Sequence, residues 1–474
     1  MSIKRIIGLL IAMSTSIGLV AAQANSCPQI VTQALEQVNN MCSGIARNEV
    51  CYGNDLVSAQ DFEQQALEAF DQVGDNTDIR TIATLSTTAF DADSNTWGIA
   101  IMTLQADLPD TLAGQNVTFV ILGDTELTNE IRPDAPIRSQ ISATSTGNIN
   151  VRAVTSANSA LVGTLSTGEI VTAIARNQRG DWLQIEFEDG HAWVFASLLT
   201  TEDDPLDLPI VGNTDADYSA PMQVFSLSTG IGQVACNEVS PSGVLIQAPT
   251  ETTVHFLVNG IEVEIGSTAF IQSDGNQVFV HNLDGTVSVT VGDTTVMVDV
   301  GTVVNASENQ MPSNPVPYDF SDMNYLPVSL LPETVAVPLF VSANSDWVDS
   351  GIMIEAGTMY RLVTAGLANY WVNCEAEKMG VGQPTIDCSS LIFGPAGGDP
   401  TTLDGAILGS DMSIFPVAIA PPHSLVGRIG DETFFVGDGG IFTATATGIL
   451  EFRVNDVDTN NFGGFLVGIL PIGE

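Results

Sequence analysis

Apolar positions recur with helical spacing only near the start of the chain. There Val31, Ala34, Leu35, Val38 and Cys42 share one face and predict a helix, and a second helical stretch is expected around Asp61 to Phe70. Beyond that point the period falls to two, or the run is continuously apolar. Trp97–Leu104 and Asn116–Gly123 read as strands, and with the helices they make residues 25–130 a small α+β domain. Val254–Val258, Val278–His281 and Val287–Val291 are short strands punctuated by Asn259-Gly260, Asp274-Gly275-Asn276, Asp284-Gly285 and Gly292-Asp293, so residues 220–306 are all β. Near the C-terminus Leu450, Phe452 and Val454 share one face of a strand, and Phe465, Val467 and Ile469 share one face of the next. Between them lies Asn455-Asp456-Val457-Asp458-Thr459-Asn460-Asn461-Phe462-Gly463-Gly464, so the pattern predicts a β-hairpin with a long polar tip.

The prolines of 307–335, densest at Met311-Pro312-Ser313-Asn314-Pro315-Val316-Pro317, read as a stiff linker ahead of a last segment, 336–474. The whole is a mainly β, multidomain chain, with no segment repeating another. Met1–Arg5 is basic, Ile6–Val20 is apolar, and Ala22-Gln23-Ala24 is a small-x-small site. Residues 1–24 are therefore expected to be a signal peptide, and the mature product secreted or extracytoplasmic and surface associated. No later apolar run approaches the roughly 20 residues of a membrane span, so no membrane insertion is expected.

Charge narrows the partners. The 474 residues carry 56 acidic against 13 basic side chains, a formal net charge of −43, and Lys4 and Arg5 fall in the leader. Phosphate backbones would be repelled, which excludes nucleic acid, whereas cations would be attracted. Six cysteines in an exported chain favour disulfides. Cys374 and Cys388 lie close together and are expected to pair, while Cys27, Cys42, Cys51 and Cys236 leave three pairings open. The four histidines are scattered without an H-E-x-x-H arrangement. No G-x-S-x-G elbow, P-loop or dinucleotide fingerprint occurs, so no catalytic residue is assigned and a non-catalytic protein is expected.

Three resemblances add to this reading. Asn150-Val151-Arg152, Val162–Gly168, Gly180-Asp181-Trp182-Leu183-Gln184-Ile185 and Gly190-His191-Ala192-Trp193-Val194 resemble, in order, the bacterial SH3-type (SH3b) domain, placed at 137–200. That family implies a small barrel that often contacts wall polymers. Trp182 and Trp193 are then the candidate ligand contacts, against the alternative that both pack in the core or rim. Gly266-Ser267-Thr268-Ala269, Leu283–Val287 and Val300-Gly301-Thr302 are similar to the FecR-type β domain, which implies a scaffold or sensor with a protein partner.

Gly366–Trp371, Ser424–Asp431, Phe434–Gly437, Gly448-Ile449-Leu450 and the 455–461 loop resemble the calcium-dependent galactophilic lectins, a jelly-roll-like β-sandwich. Alternate oxygens at Asp456, Asp458 and Asn460 suit a hard cation, although an Asp/Asn/Gly turn without metal has the same composition. The resemblance implies calcium ligands at Asp456, Asn460 and Asn461 with the Tyr370 carbonyl, and Thr459 as the counterpart of a threonine ligand. Asp456, Val457 and Asn460 would face a glycan. The family's sugar-contacting His/Gln segment is replaced by an insertion, Cys374–Pro422, carrying Asp387, Asp399, Asp404 and Asp411.

Overall fold

The computed structural model describes residues 27–105, 116–132, 138–188, 190–213, 218, 220–230, 236, 238–308, 310–369, 391–398, 412–457 and 461–472. It is mainly β and multidomain, as the alternation predicts, but its domains do not follow the order of the chain. The strands of 49–129 and 224–306 are interleaved in two sheets facing one core. In the nine-stranded sheet Val117–Leu122 pairs with Gly243–Gln247, and Val120 lies opposite Leu245. In the eight-stranded sheet Thr125–Asn129 pairs with Val224–Thr229, and Leu127 lies opposite Leu227. Residues 25–130 and 220–306, read above as an α+β domain and a separate FecR-like domain, therefore form one body.

Between the sheets Phe119, Phe225 and Phe256 meet edge to face with centroids 5.4–6.3 Å apart, among fully buried Leu85, Met102, Ile121, Ile246, Ile271 and Val280. Aromatic pairs of this geometry add to the area they bury. Every residue of Ile99–Leu104 and Val117–Leu122 is buried, because the outer face of the nine-stranded sheet is covered too. Helix Cys27–Met41 covers it with Ile30, Ala34 and Val38. At Gly53 a Cβ would stand 3.1 Å from Val38 and 2.9 Å from the Ile99 carbonyl, so only glycine lets the helix sit this close. Cys42–Cys51 ties the end of the helix to the sheet and Cys27–Cys236 ties its start to the second half of the body, which selects one of the three open pairings. The expected helix at 61–70 is absent. Asp61 Oδ1 instead accepts from the Glu63 and Gln65 amides at 2.9 Å, a local turn that competes with helical bonding.

The proline-rich 307–335 is not a spacer. Tyr318, Phe320, Met323, Leu326, Leu331 and Val335 are buried in a cluster that runs from helix Cys27–Met41 to the C-terminal segment. Tyr318 donates its hydroxyl to the Pro338 carbonyl at 3.1 Å, and its ring lies 6.0 Å from that of His281 in the body.

The C-terminal segment is a β-sandwich. One sheet orders Pro338–Ser342, Phe462–Pro471, Met359–Asn369 and Ile392–Phe393, with Gly439–Thr443 also on Met359–Asn369. The other orders Val348–Ile354, Gly448–Val454, Leu425–Ile429 and Glu432–Phe435. Gly448–Val454 and Phe462–Pro471 therefore lie in opposite sheets and do not pair, so the predicted hairpin is an arch crossing from one sheet to the other. Alternation shows that each strand buries one face, and it is silent about which strand lies beside it. The buried faces, Leu450, Phe452 and Val454 against Phe465 and Val467, are the ones the pattern indicated.

Candidate binding sites

The arch begins where Asn455 leaves the sheet, fully buried. Its side chain holds the neighbouring loop: Oδ1 accepts from the Val417 amide at 2.9 Å, and Nδ2 donates to the carbonyls of Val417, Ala420 and Pro421 at 3.1–3.2 Å. The Asn455 carbonyl accepts from the His423 amide at 2.9 Å. His423 is buried with a left-handed φ of 59°, stacked on Phe393 and edge-on to Phe415, with Nδ1 3.4 Å from Asp456 Oδ2.

Asp456 and Asn461, at the two feet of the arch, are brought together and buried. Asn461 Nδ2 donates to Asp456 Oδ2 at 2.9 Å and to the Ala343 carbonyl at 3.1 Å, and the Val457 amide donates to Asp456 Oδ1 at 2.6 Å. Asn344 locks the far foot by exchanging two hydrogen bonds with the Asn461 backbone. These are hard-oxygen side chains of the kind calcium takes. Among the described residues no group of three or more His, Cys, Asp or Glu is placed to hold a metal. Val457 is exposed. Tyr370, Asp458, Thr459 and Asn460 lie outside the described residues, as do Cys374, Cys388 and the insertion aspartates Asp387, Asp399, Asp404 and Asp411.

The second candidate region leaves the body after Thr125–Asn129 and returns at Val224–Thr229. Its seven strands run in the order Leu161–Leu165, Ile149–Arg152, Gly190–Phe195, Trp182–Phe187, Ile170–Arg176, Ile141–Ser145 and Leu199–Thr201. Ala143, Val151, Leu165, Ala173, Leu183, Ile185 and Val194 fill its own small core. Residues 147–200 match the bacterial SH3 domain family.

Within the SH3 domain the two tryptophans are packing residues. Trp182 is 6% exposed and packs edge to face on Phe195 at 4.9 Å, and Trp193 is 2% exposed. Neither offers an open ring face for stacking, which corrects their reading as ligand contacts; half-exposed Phe195 is the aromatic a ligand could reach. The domain is seated firmly on the body. Gln178 Oε1 accepts from the Gly260 amide at 2.7 Å, and Asn213 ties Thr155 to Glu262. Arg179 pairs with Glu308 at 2.6 Å; burial pushes the Glu308 carboxyl up, and the Arg179 charge partly offsets this.

No curated protein matches the chain. A solved structure described as "EclA N-terminal domain; PllA-like lectin" aligns at 18% identity over 28% of this chain and 95% of that one, with a TM-score of 0.21. No helix among the described residues is long and apolar enough to cross a membrane.

Proposed function

We propose that this protein is an extracytoplasmic, non-catalytic binding protein that contacts cell-wall polymer through its SH3 domain and binds a glycan in a calcium-dependent way through its C-terminal sandwich. The observation that carries the wall-binding half is the bacterial SH3 domain at 147–200, a domain of the binding kind. The two disulfides fit an oxidising compartment.

The glycan half rests on the arch. Asp456 supplies the buried carboxylate, held in place by the Val457 amide and by Asn461. Asp458, Thr459, Asn460, Asn461 and the Tyr370 carbonyl are the further oxygens the lectin resemblance assigns. A bound calcium would supply a positive centre whose remaining positions accept neutral hydroxyls of a sugar. Asn455 positions the foot of the arch by fixing 417–421 against it.

Calorimetric titration of calcium into the whole protein, beside a variant carrying Asp456→Asn, Asp458→Asn and Asn460→Ala, tests this half. Saturable heat in the parent and none in the variant is expected, followed by calcium-dependent signals on a glycan array. Absence of both heat and glycan signal at millimolar calcium overturns it. Co-sedimentation with purified wall sacculi tests the SH3 half, and failure to pellet overturns that.

A further inference from the structure

Basic side chains are scarce in this chain, 13 in 474 residues, yet three of them line one cleft between the SH3 domain and the eight-stranded sheet. The cleft holds about 1100 Å³, slightly more than the pockets that take a single small molecule. Arg176 and Arg179 come from the SH3 side and Arg132 from the connection that leads into it. Facing them are Glu126 of Thr125–Asn129 and Glu130 just beyond that strand, with Asp204 and Asp207 on the returning connection and Glu63 on the body.

Two of the three guanidiniums are not neutralised by these carboxylates. Arg176 donates to backbone carbonyls, Nε to Leu206 at 3.3 Å and Nη1 to Asn177 and Gln178 at 3.2 and 2.9 Å. Arg132 lies over the Phe62 ring at 5.5 Å and donates to the Phe62 carbonyl at 3.3 Å. Among the described residues no carboxylate comes within ion-pair distance of either. With 56 acidic side chains available, an arginine in this chain finds a partner easily, as Arg179 does in Glu308. Burial also pulls the Arg176 charge down in stability, which Glu130 and Asp204 offset only from a distance. The walls thus hold separated charges of both signs across open space. Asp207 pairs with Arg138 and Arg179 with Glu308, which leaves Glu63, Glu126, Glu130 and Asp204 against Arg132 and Arg176; that excess would repel a polyanion, and a simple cation would leave Arg132 and Arg176 unanswered.

We propose that this cleft binds a short zwitterionic peptide, with Arg132 and Arg176 taking its carboxylate and Glu126 and Glu130 taking its ammonium group. The proposal rests on the wall-binding reading of the SH3 domain and adds to it. The body supplies half of the site, and the ligand is the peptide part of the wall rather than its glycan. Glu130 is held for this by the Ser226 hydroxyl at 2.7 Å, itself contacted by Gln178 at 3.4 Å, so both domains order the acidic side.

The test titrates the wall pentapeptide L-Ala-γ-D-Glu-L-Lys-D-Ala-D-Ala into the whole disulfide-bonded protein, together with the same peptide amidated at its carboxyls or acetylated at its amines. Binding of the free peptide is expected, weakened by about tenfold or more by either block, the usual scale for losing a charge-assisted contact. Arg132→Gln should weaken the free peptide and leave the amidated one unchanged; Glu126→Gln should weaken the free peptide and leave the acetylated one unchanged. Both residues are at the surface and outside any core, so folding is preserved, whereas Arg176→Gln also removes caps on three carbonyls and serves only as a supporting variant. Equal affinity for free and blocked peptides, no binding of any, or indifference to both substitutions overturns the proposal. Sedimentation with sacculi separates the two readings: pelleting without peptide binding removes the cleft and keeps the SH3 reading, and peptide binding without pelleting does the reverse.

Discussion

His281 stands at the seam between body and sandwich, in strand Val278–Asp284, packed 5.7 Å from Phe270 and 6.0 Å from Tyr318. Its Nδ1 lies 3.1 Å from the Phe270 carbonyl, so Nδ1 carries a proton and donates it there. Burial holds its pKa down to about 4, and the Phe270 carbonyl opposes this only in part. An unfolded histidine titrates near 6.5. Between these values the unfolded chain binds a proton that the folded one refuses, so stability is fully present above about pH 6.5 and is lost as the pH falls toward 4. The loss is about 1.4 kcal/mol at pH 5.5 and about 2.6 kcal/mol at pH 4.5, approaching about 3.4 kcal/mol below the folded value. Many carboxylates titrate in the same window, so the assay is a difference: urea unfolding of the parent against His281→Gln, whose amide keeps a donor for Phe270 and takes no proton. The stability gap between the two should shrink by these amounts on acidification. Parallel pH profiles for parent and variant would refute the buried, neutral His281 and with it the packed seam.

Three further outcomes follow from the same geometry. Asn455→Ala strands the Val417 amide and three carbonyls and should destabilise the sandwich by about 2–4 kcal/mol, read as a lower urea midpoint, with calcium binding lost at ordinary temperature if the arch holds the ion. Cys27→Ser with Cys236→Ser opens a loop spanning 209 residues and should cost up to roughly 5 kcal/mol in denaturant unfolding, against roughly 2.5 kcal/mol for the pair Cys42 and Cys51, whose separation is 9. Replacing 132–220 by a short linker should leave a folded body, because Asn129 and Phe225 are cross-strand partners and Met222 stays in the core; loss of the cooperative transition on heating would show that the SH3 domain is not an insertion.

The SH3 domain was the most legible part of the chain. Its strands are consecutive, and its marks are local: Gly180-Asp181-Trp182 is the turn into one strand and Gly190–Val194 lies in the next. The same locality made the sandwich legible as alternating strands. What alternation could not supply was pairing across distance: Val120 beside Leu245, Leu127 beside Leu227, and the arch where a hairpin was expected. One signal for the interleaved body was present, since Ile99–Leu104 and Val117–Leu122 have no polar face, and a strand apolar on both sides needs a cover on both. In 307–335 the prolines are interleaved with Phe320, Met323, Leu326 and Leu331, whose spacing offers an apolar face.

The peptide cleft had no sequence signal at all, and the reason bears on how it would work. Arg132, Arg176 and Arg179 are unremarkable in isolation and converge only because the SH3 domain is inserted between two neighbouring strands of a closed body. A domain joined by one linker could swing, but this one is held by both of its ends and by Gln178, Asn213 and Arg179. Two walls fixed in this way keep Arg132 and Arg176 from collapsing into ion pairs with Glu126 and Glu130. A mixed-charge ligand then meets a site whose ordering cost has been met in folding. Insertion, which hid the site from the sequence, is thus also what would make the site rigid enough to discriminate a free peptide from a blocked one.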